Sequence, residues 1–195
     1  MELLPALQTG RLIVLCAPHA ARDESAHLAA ELALRGAVTV LDGGNRFLPY
    51  RVAHLLRRKT VNVAAVSNRL FVRRAFTCYE MTSLLADPHP PPSPPIFGEN
   101  GGSVPKGRGG SYLILDLLNT FYDDHVPAHE ADRLLKSCLG QIHRLRLSAP
   151  VVVTLAPPLA ADRAFLIEQV CASADQVFTL ESTPSLSPSQ PSLFT

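Results

Sequence analysis

The chain has 195 residues, 47% hydrophobic and 18% charged, and its 18 Lys and Arg against 17 Asp and Glu leave a net charge of +1. That length and apolar content suit one α/β domain with a real core. The near-neutral balance excludes a global field that would draw in nucleic acid or an acidic membrane. No apolar run approaches the roughly 20 residues of a membrane span, and "MELLPALQTG" lacks the basic start and apolar stretch of a secretory signal. The expectation is a cytoplasmic or nuclear protein, not secreted, with no membrane partner.

In chain order, "RLIVLCAP" (11–18) is a continuous apolar run with β-branched residues, the pattern of a strand buried on both faces. "DESAHLAAELALRG" follows with apolar positions near helical spacing. Asp23, Glu24 and Ser25 suit its start and Gly36 its end. "AVTVLD" (37–42) reads as a second strand, and "PYRVAHLLRRK" (49–59) as a helix with Pro49 in its first turn. "VNVAAVS" (61–67) is a third strand candidate, and "VRRAFTCYEMTSLLAD" reads as a helix after an irregular start. The Pro/Gly-rich stretch 87–110 has too few apolar residues to offset its ordering entropy and reads as a disordered insertion.

"SYLILDLL" (111–118) is a strong strand. "HEADRLLKSCLGQIHRLRL" (129–147) is the clearest amphipathic helix, with Leu134, Leu135, Cys138, Leu139, Ile142 and Leu145 on one face. "PVVVTLA" (150–156), "AADRAFLIEQVCASA" and "DQVFTLE" complete the series as strand, helix and strand, and residues 182–195 form a Ser/Pro tail read as disordered. Strands alternating with helices predict a three-layer α/β sandwich around a mostly parallel sheet, spanning 1–181. Ligands in such sheets bind at the carboxyl ends of the strands, here just after Pro18, Asp42, Asp116 and Thr154. The four cysteines, at 16, 78, 138 and 171, form no CxxC pair and read as buried reduced thiols.

Three stretches together resemble the RecA/RadA family of recombinase-type ATPase domains. In "VLDGGNRFLPYRVAHLL" (40–56), Asp42, Phe47, Pro49 and Arg51 hold places of that family's Asp-Thr-Glu strand end and Gly-x-Phe-x-Pro-x-Arg motif. "VNVAAVSNRLFVRRAFTCYEMTSLL" (61–85) is similar to its strand, Arg-Ala-x-Thr step and helix. "YLILDLLNTFYDDH" (112–125) resembles a Walker B strand ending at Asp116, and "VVVTLAPP" (151–158) sits where the family has a strand ending in Thr-Asn-Gln. The resemblance covers roughly residues 10–181 and implies a RecA-like P-loop NTPase fold.

The chain also departs from that pattern. A Walker A loop needs glycines so that backbone N–H groups can wrap phosphates, Lys to reach the outer phosphates, and Ser or Thr to hold Mg²⁺. Between Pro18 and Ser25 there is no Gly and no Lys, and His19, Ala20, Ala21 and Arg22 all carry a Cβ that impedes an anion nest. Asp23 and Glu24 would repel phosphate. Arg22 could offer charge and Ser25 a hydroxyl, so a degenerate nucleotide site would use Arg22, Ser25 and Asp116. The resemblance places the family's catalytic glutamate at Gly44 and its Asn-Gln sensor at Leu155-Ala156, and it leaves the following DNA-binding loop only a few residues.

Other candidates are weaker. Asp42 and Asp116, with Asp123 or Asp124, could pair around Mg²⁺, and "DDH" (123–125) could bind a metal. His19 could act as a base. For each the simpler reading is a structural or surface role. Arg46, Arg51, Arg57, Arg58, Lys59, Arg69, Arg73 and Arg74 form a basic cluster that could track a phosphate backbone. Phe47, Tyr50, Phe71 and Phe76 are interleaved and could stack on bases.

The leading expectation is therefore a non-catalytic RecA-like accessory in DNA recombination or repair, which binds DNA or a RecA-type ATPase partner and needs no cofactor. The alternatives are an atypical ATPase holding ATP and Mg²⁺ through Asp116, and a metal-dependent hydrolase built on Asp42 and Asp116.

Overall fold

A computed structural model describes residues 7–88, 110–157 and 161–180. The expectations for the insertion at 87–110 and the tail at 182–195 fall almost wholly outside those residues. Among the described residues six strands form one sheet: β1 (Leu12–Cys16), β2 (Val38–Asp42), β3 (Leu70–Arg74), β4 (Ser111–Leu115), β5 (Val151–Leu155) and β6 (Gln176–Thr179). Their order is β3-β2-β4-β5-β1-β6, and every pairing is parallel.

The helices are α1 (Arg22–Arg35), α2 (Pro49–Arg57), α3 (Val63–Ser67), α4 (Cys78–Ala86), α5 (Ala128–Arg146) and α6 (Ala164–Ser173). Alternation along each strand sends side chains to opposite faces, and the two faces build separate cores. Ile13, Leu15, Val38, Val40, Leu113 and Leu115 pack with α1, α2 and α3. Leu12, Val14, Leu41, Ile114, Val151 and Val153 pack with α4, α5 and α6, centred on the fully buried Phe121 and Met81. The result is the three-layer sandwich that the alternating pattern predicts, with an all-parallel rather than a mostly parallel sheet.

Residues 61–67 are not a strand. Val61 is fully exposed, and Val63–Ser67 is one short helical turn that buries Val66. The third strand is instead Leu70–Arg74. It lies at the sheet edge, where a single neighbour removes the need for a continuous apolar run, and none of its five residues is fully buried. Helix α4 then begins at Cys78. Thr77 Oγ1 accepts from the Glu80 N–H at 3.1 Å, while Glu80 Oε2 accepts from the Phe76 N–H at 2.7 Å. This is a near relative of the capping box, in which the first turn's orphan donors are satisfied reciprocally. Helix α5 buries Ala131, Leu134, Leu135, Cys138 and Ile142, with Leu139 and Leu145 half-buried, close to its expected face.

The chain leaves β1 through α1 on one face, whereas β4 and β5 feed α5 and α6 on the other. Because β2 feeds α2 on the α1 face beside β4, switch points at the strand carboxyl ends lie both beside the end of β1 and between the ends of β2 and β4. Among the described residues no helix is long and apolar enough to cross a membrane.

Candidate functional site

The loop after β1 is built against its sequence. His19, Ala20 and Ala21 have φ of 53°, 52° and 52°, three successive left-handed residues with no glycine among them. The Ala20 N–H closes the turn on the Ala17 carbonyl at 3.0 Å. Each left-handed L-residue costs about 1–2 kcal/mol relative to the right-handed form. The backbone thus holds a shape that glycine favours, with Cβ atoms where an anion nest needs open space. The N-terminal dipole of α1 is met by its own first-turn acids, Asp23 and Glu24, both exposed. An open cleft of about 550 Å³ runs along this turn, lined by Pro18, His19, Arg22, Asp23, Glu24, Leu48 and Arg51. Arg51 pairs with Asp23 at 3.2 Å, so part of the cleft's positive charge is already neutralised.

At the ends of β2 and β4, adjacent strands, lie two fully buried carboxylates, Asp42 and Asp116. Asp42 organises the turn that follows it. Its Oδ1 accepts from the Arg46 N–H at 2.8 Å, its Oδ2 from the Phe47 N–H at 3.1 Å, and Arg74 Nε lies 3.4 Å from Oδ2. Asp116, at φ 49°, donates its N–H to Thr154 Oγ1 at 2.9 Å, which ties β4 to β5. Arg46 Nε donates to Asp116 Oδ2 at 2.8 Å. A charge-assisted bond to a buried carboxylate is the strong kind, and it occupies one of the two oxygens through which Asp116 could meet a divalent cation.

Glycine at 43 and 44 is a consequence of this packing. A Cβ on Gly44 would come 2.3 Å from Asp116 Oδ2, and one on Gly43 2.7 Å from Met81 Cε and 2.9 Å from the Asp116 carbonyl. The position that the resemblance gives to a catalytic glutamate therefore has no room for a side chain. Asn119 Nδ2 donates to the Gly43 carbonyl at 3.3 Å and braces the same turn.

Mg²⁺-ATP fits this edge poorly. The loop offers neither glycine nor lysine, Asp23 and Glu24 line its mouth, and Arg46 takes the Asp116 oxygen. Two features pull the other way: Ser25 Oγ and Asp116 Oδ1 are buried with no hydrogen-bond partner among the described residues. Among those residues, too, no three His, Cys, Asp or Glu side chains cluster closely enough to hold a metal ion. In "DDH", the exposed Asp123 accepts from the His125 N–H and pairs with His125 Nδ1, both at 2.9 Å. Those bonds hold its carboxyl below the usual range.

The basic cluster separates into distinct jobs. Arg46 and Arg74 serve the buried carboxylates. Arg51 and Lys59 pair with Asp23 and Glu31 of α1. Arg69 donates to the Ala33 and Leu34 carbonyls at the α1 C-terminus, at 3.2 and 3.3 Å, and Arg73 to the Asp87 carbonyl. Arg57 and Arg58 are exposed, and their side chains have no ion-pair or hydrogen-bond partner among the described residues. Of the interleaved aromatics, Phe47 is buried and Phe71 half-buried, whereas Tyr50 and Phe76 are open.

Sequence reasoning missed Arg163. Its buried guanidinium donates to the Phe121 and Val126 carbonyls at 3.0 and 2.7 Å and fastens the segment beyond Asp116. No periodicity marks such a residue, because its partners lie some 40 positions away in sequence. All four cysteines are free thiols; Cys16 and Cys171 approach to 3.7 Å between sulfurs, and burial pushes the Cys16 thiol up to about 12.

No family model matches the chain, and no curated protein matches it.

Proposed function

We propose that this chain is a RecA-like domain that has lost ATP hydrolysis and acts as an accessory in DNA recombination or repair, binding DNA or a RecA-type ATPase subunit. The observation that carries the reading is the Arg46–Asp116 pair at 2.8 Å. A hydrolytic site of this kind needs Asp116 free to organise Mg²⁺ and a carboxylate to orient water. Here the first is bonded to an arginine and the second position is a glycine pressed against it. The loop after β1 and Asp116 share the carboxyl edge of one parallel sheet, which suits descent from a nucleotide-binding arrangement. The left-handed turn at 19–21 supports the same view, because it retains a glycine-type conformation without glycines. Fold likeness alone does not assign function, so the DNA-repair element of the proposal rests on the motif resemblance.

The test is a pair of titrations. The reading expects no Mg²⁺-dependent ATP turnover, together with either salt-sensitive retention of single-stranded DNA or co-purification with a RecA-type subunit. ATP turnover that disappears on Asp116→Asn would overturn it.

One observation favours a second reading, an atypical nucleotide-binding protein. Ser25 Oγ and Asp116 Oδ1 are both buried with no partner among the described residues, and an unmet buried polar atom costs about 1–3 kcal/mol. In that reading Ser25 and Arg22 contact phosphate, and Arg46 swings off Asp116 on binding. Stabilisation by ATP that is lost in Ser25→Ala would support it.

A further inference from the structure

We infer that the outer face of α2, with the groove it forms against α1, is a binding surface for single-stranded nucleic acid. The inference rests on the accessory reading above and names both the ligand class and the residues.

Helix α2 divides cleanly. Val52, Leu55 and Leu56 point into the core, while Tyr50, Arg51, His54, Arg57 and Arg58 are exposed. At 100° per residue, Tyr50, His54 and Arg57 fall within one narrow stripe, with Arg51 and Arg58 directly beside it. Beside this face lies a groove of about 420 Å³ lined by His27, Arg51, His54, Leu55 and Arg58. No acidic side chain lines it, and Arg57 and Arg58 have no anionic partner among the described residues. Arg51 is paired with Asp23, but the charge of Arg57 and Arg58 is uncompensated although the chain's net charge is only +1. Tyr50, 92% exposed, sets a flat aromatic face one helical turn from His54.

Cations beside an open aromatic suit a strand whose phosphates and unstacked bases are both presented. A duplex keeps its bases stacked and would leave Tyr50 unused. An acidic partner helix would want an apolar stripe on this face, but Val52, Leu55 and Leu56 are turned inward and Tyr50 is the one large apolar side chain of α2 that is exposed.

The experiment is fluorescence anisotropy with labelled oligothymidylate over a potassium chloride series, using the full chain. Three variants are compared: Arg57→Ala/Arg58→Ala, Tyr50→Ala, and Arg144→Ala as an exposed control on α5, across the sheet. Each lost phosphate contact lowers the slope of log affinity against log salt by about 0.7 for single strands. The double variant is therefore expected to flatten the slope by about 1.4, with the loss of affinity greatest at low salt. Tyr50→Ala is expected to weaken binding by roughly tenfold at unchanged slope, as for a stacking contact. Arg144→Ala is expected to match the wild type.

If the wild type binds and all three variants match it, this surface is wrong while the nucleic-acid reading stands. Absence of wild-type binding at low salt overturns both the surface and the nucleic-acid arm, and leaves the loss of ATPase chemistry to be judged by nucleotide titration. Displacement by polyglutamate as readily as by unlabelled oligothymidylate would make the face a general polyanion surface and overturn the stacking argument. All four substitutions are at exposed positions, and circular dichroism is used to check that the three variants remain folded.

Discussion

Replacing Arg46 with Met keeps most of the side chain's aliphatic length and removes its charge, which isolates the bond to Asp116. Asp116 is fully buried, its Oδ1 already lacks a partner among the described residues, and Arg46 Nε at 2.8 Å is the hydrogen-bond partner of its other carboxylate oxygen. Removing one member of a buried ion pair typically costs about 3–5 kcal/mol, because the remaining charge is stranded. The Arg46 side chain is 26% exposed, so water can reach one side of the pair and the low end, about 3 kcal/mol, is expected. For a domain of this size that is a fall in Tm of about 6–12 °C. The decisive comparison is a double-mutant cycle by urea denaturation. Asp116→Asn in the Arg46→Met background removes the stranded charge and is expected to recover at least about 1.5 kcal/mol as coupling. If Arg46→Met costs less than about 1 kcal/mol, or Asp116→Asn recovers nothing, the pair is not what holds this edge closed.

Gly44→Ala is expected to destabilise by more than about 2 kcal/mol, because the new Cβ meets Asp116 Oδ2 at 2.3 Å and the carboxylate is itself packed in place; urea unfolding reads it, and a change below 0.5 kcal/mol would show that the turn yields. His19→Gly is expected to stabilise, an unusual direction for a glycine substitution. Relief of about 1–2 kcal/mol at φ 53° outweighs the roughly 0.5–1 kcal/mol that glycine adds in chain entropy. Ala20→Gly should show less gain, since it also removes a fully buried methyl worth about 0.8 kcal/mol. Asp175 accepts from the Leu12 N–H at 2.7 Å, and from Arg146 at 2.9 Å, which holds its carboxyl below the usual carboxylate range. A depressed folded-state value contributes stability above the unfolded value of about 3.9 that is lost as pH falls through the folded value. Asp175→Asn should therefore reduce the acid sensitivity of unfolding, and an unchanged acid limb would refute that role.

The alternation of apolar runs with amphipathic segments was enough to read the layers, because strands buried on both faces must be apolar throughout and helices must carry a stripe. It failed at 61–74 for a physical reason. An edge strand such as Leu70–Arg74 can be half polar, and a valine-rich stretch such as 61–67 can be an exposed turn when only Val66 finds a core. The Thr77-x-x-Glu80 spacing was the available signal, since it marks a helix start at 78 and leaves 70–74 free to be a strand. At the site, the sequence pattern put Asp42 and Asp116 at strand carboxyl ends, and the structure sets those two strands side by side. What sequence could not supply was their partners. Arg46 reaches Asp116 across 70 positions, and its charge looked like part of a surface patch. The basic cluster was legible as composition but not as geometry, and only Arg57 and Arg58 of its eight members stand without a partner among the described residues.

The central claim, that the loop after β1 no longer serves ATP, is tested most directly by the thermal melt of the purified protein with and without millimolar Mg²⁺-ATP. A ligand that binds only the folded state at 100 times its Kd adds about 2.7 kcal/mol, a shift of roughly 5–11 °C for a domain of this size. The account expects no shift. A reproducible rise of several degrees that requires Mg²⁺ would mean that Arg46 releases Asp116 and that the turn at 19–21 still cradles phosphate, contradicting it.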